Sequence, residues 1–454
     1  MTQTASGRAA PSPRTTSRTG RGRTTTPVRA GRSAARDRST VRKGSATRRG
    51  EERPWLGQWN STVTSYYLLV GATALLLIIG LVMVFSSSAV TEIAAGKSPF
   101  GAFLNQARYA LLGLPLLLVC SRLPVTWYKR LAWPGLVVSV ALLAAVVAFG
   151  DATGGNQNWL PLGSFRFQPS ELAKLTLALW LGVVLGRKQR LLGQWRHVVV
   201  PAVPGALAVV GLVLAGEDLG TALVIMLLVA GAFFVSGAST RLLGIGAAAA
   251  AFVVGYAFIY LQDGGDRLGR IMAVYSECED TLGECYQSQH GLYALGTGGL
   301  TGVGLGASRE KWSYLPEAHN DFIFAVIGEE LGLLGTLLVL GLFVVLGVAT
   351  SRIVRRHTDP FVKITTAAVA CWIVGQAFIN IGVVIGLVPV IGVPLPLVSA
   401  GGTALITTMA ALGVLISFAR TEPGAAEALR ARGSVVRRSL AVVGRAARPR
   451  RRTP

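Results

Sequence analysis

The chain has 454 residues, of which 51% are hydrophobic and only 15% charged, and its mean hydropathy is +0.52. A soluble domain of this size would rarely tolerate that balance, so composition favours a membrane class. The formal charge of +22 raises nucleic acid as a partner, but almost all of it sits in two tails: residues 1–54 carry fourteen Lys/Arg against three acids, and residues 420–454 carry ten Arg against Glu422 and Glu427.

The first 54 residues hold almost no large apolar side chain, so they cannot bury enough surface to offset their ordering entropy and read as disordered. A solvated tail that sets topology outweighs specific binding to nucleic acid, a partner protein or anionic headgroups, and no nucleic-acid partner is expected. No cleavable signal peptide is expected either, because the apolar run begins far from Met1.

A membrane-spanning helix needs roughly 20 apolar residues. Stretches meeting that need fall near 65–86, 105–121, 131–149, 170–186, 198–215, 220–236, 242–261, 321–350, 362–388 and 400–419. They predict an all-α polytopic membrane protein with ten transmembrane helices. Basic residues are retained on the cytoplasmic side, and they fall in alternate loops: Arg122, Lys129 and Arg130; Arg187, Lys188, Arg190 and Arg196; Arg241; Arg352, Arg355, Arg356 and Lys363. The opposite loops hold Lys97, Arg166, the acids Glu217 and Asp218, and a long mixed-charge loop at 262–320. Both termini are then cytoplasmic, and the large extracytoplasmic loop lies between helices seven and eight. The chain divides into a basic tail at 1–63, a membrane core at 64–419 and a second basic tail at 420–454.

Cys120 and Cys371 sit in apolar helices as packing residues. Cys278 and Cys285 lie in the outward loop with six residues between them. An oxidising compartment would allow a disulfide there, though spacing alone does not supply the Cα separation it needs. No paired metal-ligand spacing accompanies His290 and His319.

Between the third and fourth helices, residues 155–174 carry Trp159, Leu160, Leu162, Phe165 and Phe167, which suit a segment lying in the membrane interface. Pro169-Ser170-Glu171 reads as a helix start with Ser170 near the cap. Lys174 lies one turn deeper, about 6 Å by helical rise, where it either snorkels to the surface or faces a polar cavity.

Residues 314–332 hold Glu317, His319 and Asp321, followed by Glu329 and Glu330. Asp321 opens the eighth helix, where a helix N-terminus favours an anion. The two glutamates fall about 12 to 13 Å deeper and need partners such as Lys174 or Arg108, or a proton. A charge pair that locks helices together is the alternative to direct chemistry. Gly296–Gly306 contains Gly302-Val-Gly304, but no strand precedes it, so it reads as flexible backbone near a headgroup rather than a dinucleotide site. Pro389–Thr403, with Ser399 and Gly401, reads as a re-entrant segment.

Gln168-Pro169-Ser170-Glu171 with Lys174, Asp218-Leu-Gly220-Thr221, Pro316-Glu317-Ala318-His319-Asn320-Asp321-Phe322 with Gly328-Glu329-Glu330, and Pro389 to Ser399-Ala-Gly401-Gly402 together resemble the SEDS family of shape, elongation, division and sporulation proteins. The resemblance spans about residues 64–419 and is closer to the cell-division branch than to the elongation branch. Gly216-Glu217-Asp218 departs from the Gln-Pro-Asp type commoner in the family, and the long basic N-terminus is not a family feature.

The resemblance implies a peptidoglycan glycosyltransferase of the cytoplasmic membrane, acting at the division septum, that joins lipid II to a nascent glycan strand and releases undecaprenyl pyrophosphate. It makes Asp321 the catalytic aspartate, a general base for the acceptor hydroxyl. Lys174, Arg108, Arg267 and Arg270 are the candidate cations for the pyrophosphate, and Glu171, Trp159, Gln168, Ser170, Glu317, His319, Glu329, Glu330, Ser399 and Gly401 complete the candidate substrate site. A divalent cation, Mg or Mn, is implied by the family while the sequence shows no dedicated ligand set. The implied partners are a class B penicillin-binding protein docking on the outer loops and helices eight and nine, and other division proteins at the cytoplasmic tails. A lipid II flippase, or a non-catalytic scaffold for the transpeptidase, is the competing reading.

Overall fold

The structure, a computed structural model, describes residues 61–431 except 62, 154–155, 163–164, 192–193, 261–283 and 313. The helices are α1 (Thr64–Ala94), α2 (Gly101–Cys120), α3 (Val125–Phe149), α4 (Pro169–Arg187), α5 (Trp195–Val199), α6 (Ala202–Ala215), α7 (Leu219–Ser236), α8 (Thr240–Tyr260), α9 (Glu284–Gly298), α10 (Ile323–Arg356), α11 (Pro360–Val384) and α12 (Gly402–Arg420). Among the described residues, eight are long and apolar enough to cross a membrane: α1, α2, α3, α4, α7, α10, α11 and α12. α6 and, within α8, Thr240–Tyr256 are shorter apolar helices.

The expected all-α architecture needs one correction. Residues 151–167 form a small antiparallel sheet in the order β1 (Asp151–Thr153), β2 (Asn156–Leu162), β3 (Phe165–Phe167), with Asp151 opposite Trp159 and Leu160 opposite Phe167. The strands are separated in sequence by Gly154-Gly155 and Gly163-Ser164, dipeptides of the kind two-residue hairpins favour. Runs this short escape a hydropathy window tuned to spans of about 20 residues. The same blindness hides α9, a 15-residue helix within the long loop expected at 262–320.

Other boundaries move for identifiable reasons. The stretch expected as one helix at 198–215 is broken at Val200-Pro201 into α5 and α6, with Pro201 at the cap position of α6. α1 continues eight residues past the expected end at 86, and there Ser88 and Thr91 satisfy their hydroxyls on the carbonyls of Val84 and Ser88. α4 and α11 each begin with proline in the first turn, and Asp359 caps α11 by accepting from Phe361 N. α10 is interrupted at Gly332, whose φ of 67° and ψ of −165° leave the helical region.

α4, α11 and α12 form the centre of the bundle, and α2 and α3 remain the most open to its surroundings. Gly182 lets α4 and α11 approach closely, since a Cβ there would lie 2.1 Å from Thr365 Oγ1. At one end, Lys129 pairs with Asp359 at 2.6 Å, Arg356 donates to Ser61 O and Arg420 to Ser121 O. Two of the loops grouped by their charge, 121–130 and 352–363, therefore meet at one end with residues 61 and 420. Residues 421–431 continue from that end, and Glu422 is buried 4.0 Å from Arg356. The sheet, the α6–α7 turn and Asp321 gather at the other end.

Candidate active site

The opposite end of the bundle is organised by irregular backbone rather than by helix packing alone. Residues 389–401 have no regular structure, yet Val393, Leu395, Leu397, Val398 and Ser399 are buried. Such backbone survives at membrane depth only when protein satisfies it. Three side-chain amides do so: Gln376 Nε2 donates to Pro394 O at 2.8 Å, Asn380 Nδ2 to Val393 O at 2.8 Å, and Gln106 Nε2 to Ser399 O at 3.1 Å. Gln106 also accepts from Gly401 N at 3.1 Å, and Ser399 Oγ accepts from Leu395 N at 2.7 Å.

The same scaffold fixes the backbone around Asp321. Asn380 Nδ2 donates to Asp321 O at 2.7 Å, Ser399 Oγ to Asn320 O at 2.6 Å, and Ala400 N to His319 O at 2.9 Å. Asp321 lies ahead of α10 instead of opening it; Phe322 occupies the cap position and no side chain caps the helix. The carboxylate is half-buried, and a Cβ added to Gly392 (φ 65°) would sit 3.6 Å from its Oδ2. Among the described residues no cation pairs with it. Burial, then the charges of Glu317 and Asp218, push its pKa up to about 7.

Asp218 is the second acid of this end. It caps α7 by accepting from Thr221 N at 2.9 Å, and its Oδ2 accepts from Thr221 Oγ1, Asn158 Nδ2 at 2.9 Å and Gln168 Nε2 at 3.2 Å. The sheet is tied to the α6–α7 turn by Gln157 N donating to Gly216 O. Trp159 is half-buried in β2 and Arg166 exposed in β3. Glu317 is exposed and accepts from Asn320 Nδ2, while His319 is half-buried.

Several expectations change on this geometry. Gln168, not Ser170, is the cap residue of α4, because Pro169 takes the first helical position; Ser170 is buried with its hydroxyl unpartnered among the described residues. Lys174 does not snorkel and does not meet Glu329 or Glu330. It is 2% exposed, donates to Glu171 Oε1 at 2.8 Å and Gln376 Oε1 at 3.3 Å, and stands 4.9 Å over the Trp372 ring. Thr407 Oγ1 completes Glu171 at 3.3 Å. Arg108 is exposed on α2 and is likewise not the partner of the two glutamates.

Glu330 instead pairs with Lys311 at 2.8 Å and accepts from Ser86 Oγ, while Glu329 accepts from Ser308 Oγ and from Arg309 N at 2.8 Å. The Gly-rich run is not free backbone near a headgroup: Val303 N and Gly304 N donate to the carbonyls of Glu329 and Glu330. Arg267, Arg270 and Cys278 lie outside the described residues, and with them the Cys278–Cys285 pairing.

Sequence reasoning missed Gln106, Asn158, Lys311, Gln376 and Asn380 as parts of this framework. Gln376 and Asn380 did carry a signal, since polar amides four residues apart share one face of an otherwise apolar helix.

The family model for FtsW/RodA/SpoVE cell cycle proteins matches residues 66–423. The chain belongs to that family. Among FtsW/RodA/SpoVE relatives, the probable peptidoglycan glycosyltransferase FtsW of Mycobacterium tuberculosis is 38% identical over 390 residues, covering 86% of this chain and 73% of its own. A chain of a solved peptidoglycan synthase complex, described as coordinating polymerization and crosslinking, superposes with a TM-score of 0.63 at 30% identity, covering 78% of this chain and 96% of that one. The rod shape determining protein RodA of Thermus thermophilus gives 0.57 at 29% identity, with coverage of 78% and 96%. Like those FtsW/RodA/SpoVE relatives, the chain is a multi-pass membrane protein.

Proposed function

We infer that the chain is a peptidoglycan glycosyltransferase that polymerises lipid II into glycan strands at the outer face of the cytoplasmic membrane during septal wall synthesis. The observation that carries this is the Asp321 carboxylate, held by its backbone at three consecutive residues, free of a cationic partner among the described residues, and raised to about 7. A general base works best when its pKa lies near the operating pH, and contributes about 10²- to 10⁴-fold.

In this reading Asp321 takes the proton of an acceptor sugar hydroxyl. The freed oxygen forms its bond to the donor's anomeric carbon, and the bond from that carbon to the pyrophosphate oxygen breaks, releasing undecaprenyl pyrophosphate. Negative charge developing on the leaving group needs a cation aimed at it. Lys174 is ill suited to this, because its buried ammonium is taken by Glu171, whereas Arg108 is exposed on α2 and turns away from the buried Gln106 two residues before it. Among the described residues no three His, Cys, Asp or Glu side chains converge as a metal site, so no step is routed through a divalent cation.

The topology belonging to this reading has ten spans, with α6 and α8 completing the eight long helices, and the end bearing Asp321 outside. The expected partner is a class B penicillin-binding protein, supported by the likeness to a synthase complex that couples polymerization with crosslinking. Purified protein with that partner and lipid II should lose glycan synthesis by at least about 100-fold in Asp321→Asn, while partner binding and lipid II translocation persist. Full polymerisation by that variant would overturn the assignment of Asp321, and a wild-type protein that translocates lipid II without polymerising it would favour a flippase.

A further inference from the structure

The mechanism leaves Glu329 and Glu330 without a task, although both are buried. Each is fully engaged by the segment that leads from α9 to Asp321. On the outgoing limb, Val303 N donates to Glu329 O at 2.9 Å and Gly304 N to Glu330 O at 3.1 Å, while the limb itself supplies Gly299 O and Leu300 O to Leu333 N and Leu334 N. On the returning limb, Glu329 takes Ser308 Oγ and Arg309 N through its carboxylate, and Glu330 takes Lys311 Nζ. A third element joins at the same point: Ser86 on α1 donates to Glu330, and its carbonyl accepts from Lys311 Nζ at 3.2 Å.

We propose that Lys311 is a positioning residue for Asp321: its ion pair with Glu330, shared with Ser86, clamps the 299–321 segment to α1 and α10 and so holds the reacting carboxylate in place. The inference rests on the polymerase reading for its kinetic consequence, but the clamp itself is a statement about geometry. Both side chains are essentially removed from solvent, 2% and 0% exposed. A buried ion pair contributes little net stability over apolar packing, and its best-attested use is to fix register. Here the register matters because only nine residues separate Lys311 from Asp321, and described ones among them are tied back on themselves. Leu315 N returns to Glu310 O, Asn320 N and Phe322 N return to Glu317 O, and Leu315 and Ala318 are buried. A shift at Lys311 has little slack in which to dissipate before it reaches Asp321.

Two measurements on the full chain with its transpeptidase partner test the clamp. In Lys311→Met, kcat for lipid II polymerisation should fall roughly ten-fold or more with KM nearly unchanged, since a displaced base weakens the transition state and not ground-state binding. Hydrogen exchange across residues 314–322 should accelerate in the same variant, and Lys311→Arg should restore part of both. Unchanged exchange and unchanged kcat in Lys311→Met would overturn the proposal, as would a loss confined to KM. Ser86→Ala, which removes one neutral hydroxyl and leaves the charge pair, should show the same pattern at smaller amplitude and keeps the test open where Lys311→Met fails to accumulate. A wild-type protein that makes no glycan would sink the polymerase reading alone; the exchange comparison would still decide the clamp.

Discussion

Two buried Lys–Glu pairs of the same length, 2.8 Å, stand in this molecule, and they do different work. Glu171 and Lys174 lie three residues apart on α4, at the crowded centre of the bundle, with Gln376, Thr407 and the Trp372 ring taking up their remaining valences. Lys311 and Glu330 are nineteen residues apart and join a loop to two helices. The first pair is local and makes a polar point in an apolar core tolerable. The second is long-range and ties an irregular segment to rigid elements. Identical chemistry thus serves packing in one place and positioning in the other.

The largest expected effect breaks the first pair. Lys174→Met leaves the Glu171 carboxylate buried without its cation, and removal of one partner from such a pair costs about 3–5 kcal/mol. The double variant Lys174→Met with Glu171→Leu should recover most of that loss, because no stranded charge remains. Thermal unfolding of the purified protein in detergent reads both. Equal losses in the single and double variants would show that the pair does more than neutralise itself, and would blur the contrast with Lys311.

The second pair can be challenged without touching either charge. Gly332 interrupts α10 just beyond Glu330, with a positive φ, and a Cβ there would lie 2.4 Å from Gly302 N and 2.6 Å from Leu300 O. Alanine would have to adopt a sparsely populated conformation, costing about 1–3 kcal/mol, and would push the outgoing limb off the helix. Gly332→Ala should therefore lower both thermal stability and polymerisation. Stability lost without any change in rate would mean that the limb can separate from α10 while Asp321 stays in place.

The difference between the pairs also explains what could be read in advance. The ten apolar stretches and the alternation of basic loops follow from hydropathy and charge, which are local sums. Glu171 and Lys174 share a helix turn, so their partnership is within reach of spacing alone, whereas for Glu329 and Glu330 the sequence offers Lys174, Arg108 or a proton without deciding between them. Lys311 offered no signal, since nothing in a sequence announces that residue 311 returns to meet residue 330. The sheet at 151–167 and α9 escaped because their periods are shorter or their polarity higher than a spanning helix shows. Asp321 and Asp218 stood out only through their motifs, and the amides that hold residues 389–401 only through being polar in an apolar helix.

The smallest effect probes the end of the clamp. Asp321 must be ionised to accept a proton, so activity should rise with pH through about 7, its raised pKa. Of the charges that raise it, Glu317 ranks ahead of Asp218 and is exposed, so it can be neutralised with little structural cost. Glu317→Gln removes a negative neighbour, makes the ionised form of Asp321 less unfavourable and moves the acid limb of the kcat/KM profile to lower pH, by less than about one unit given solvent screening. A limb that moves to higher pH, or that persists unchanged in Asp321→Glu, would assign the titration to another group. In Lys311→Met the limb should shift as well, because a carboxylate released from its place changes its burial, whereas Lys174→Met should leave the midpoint where it is. The pH profile thus separates the two pairs by a quantity that thermal stability does not report.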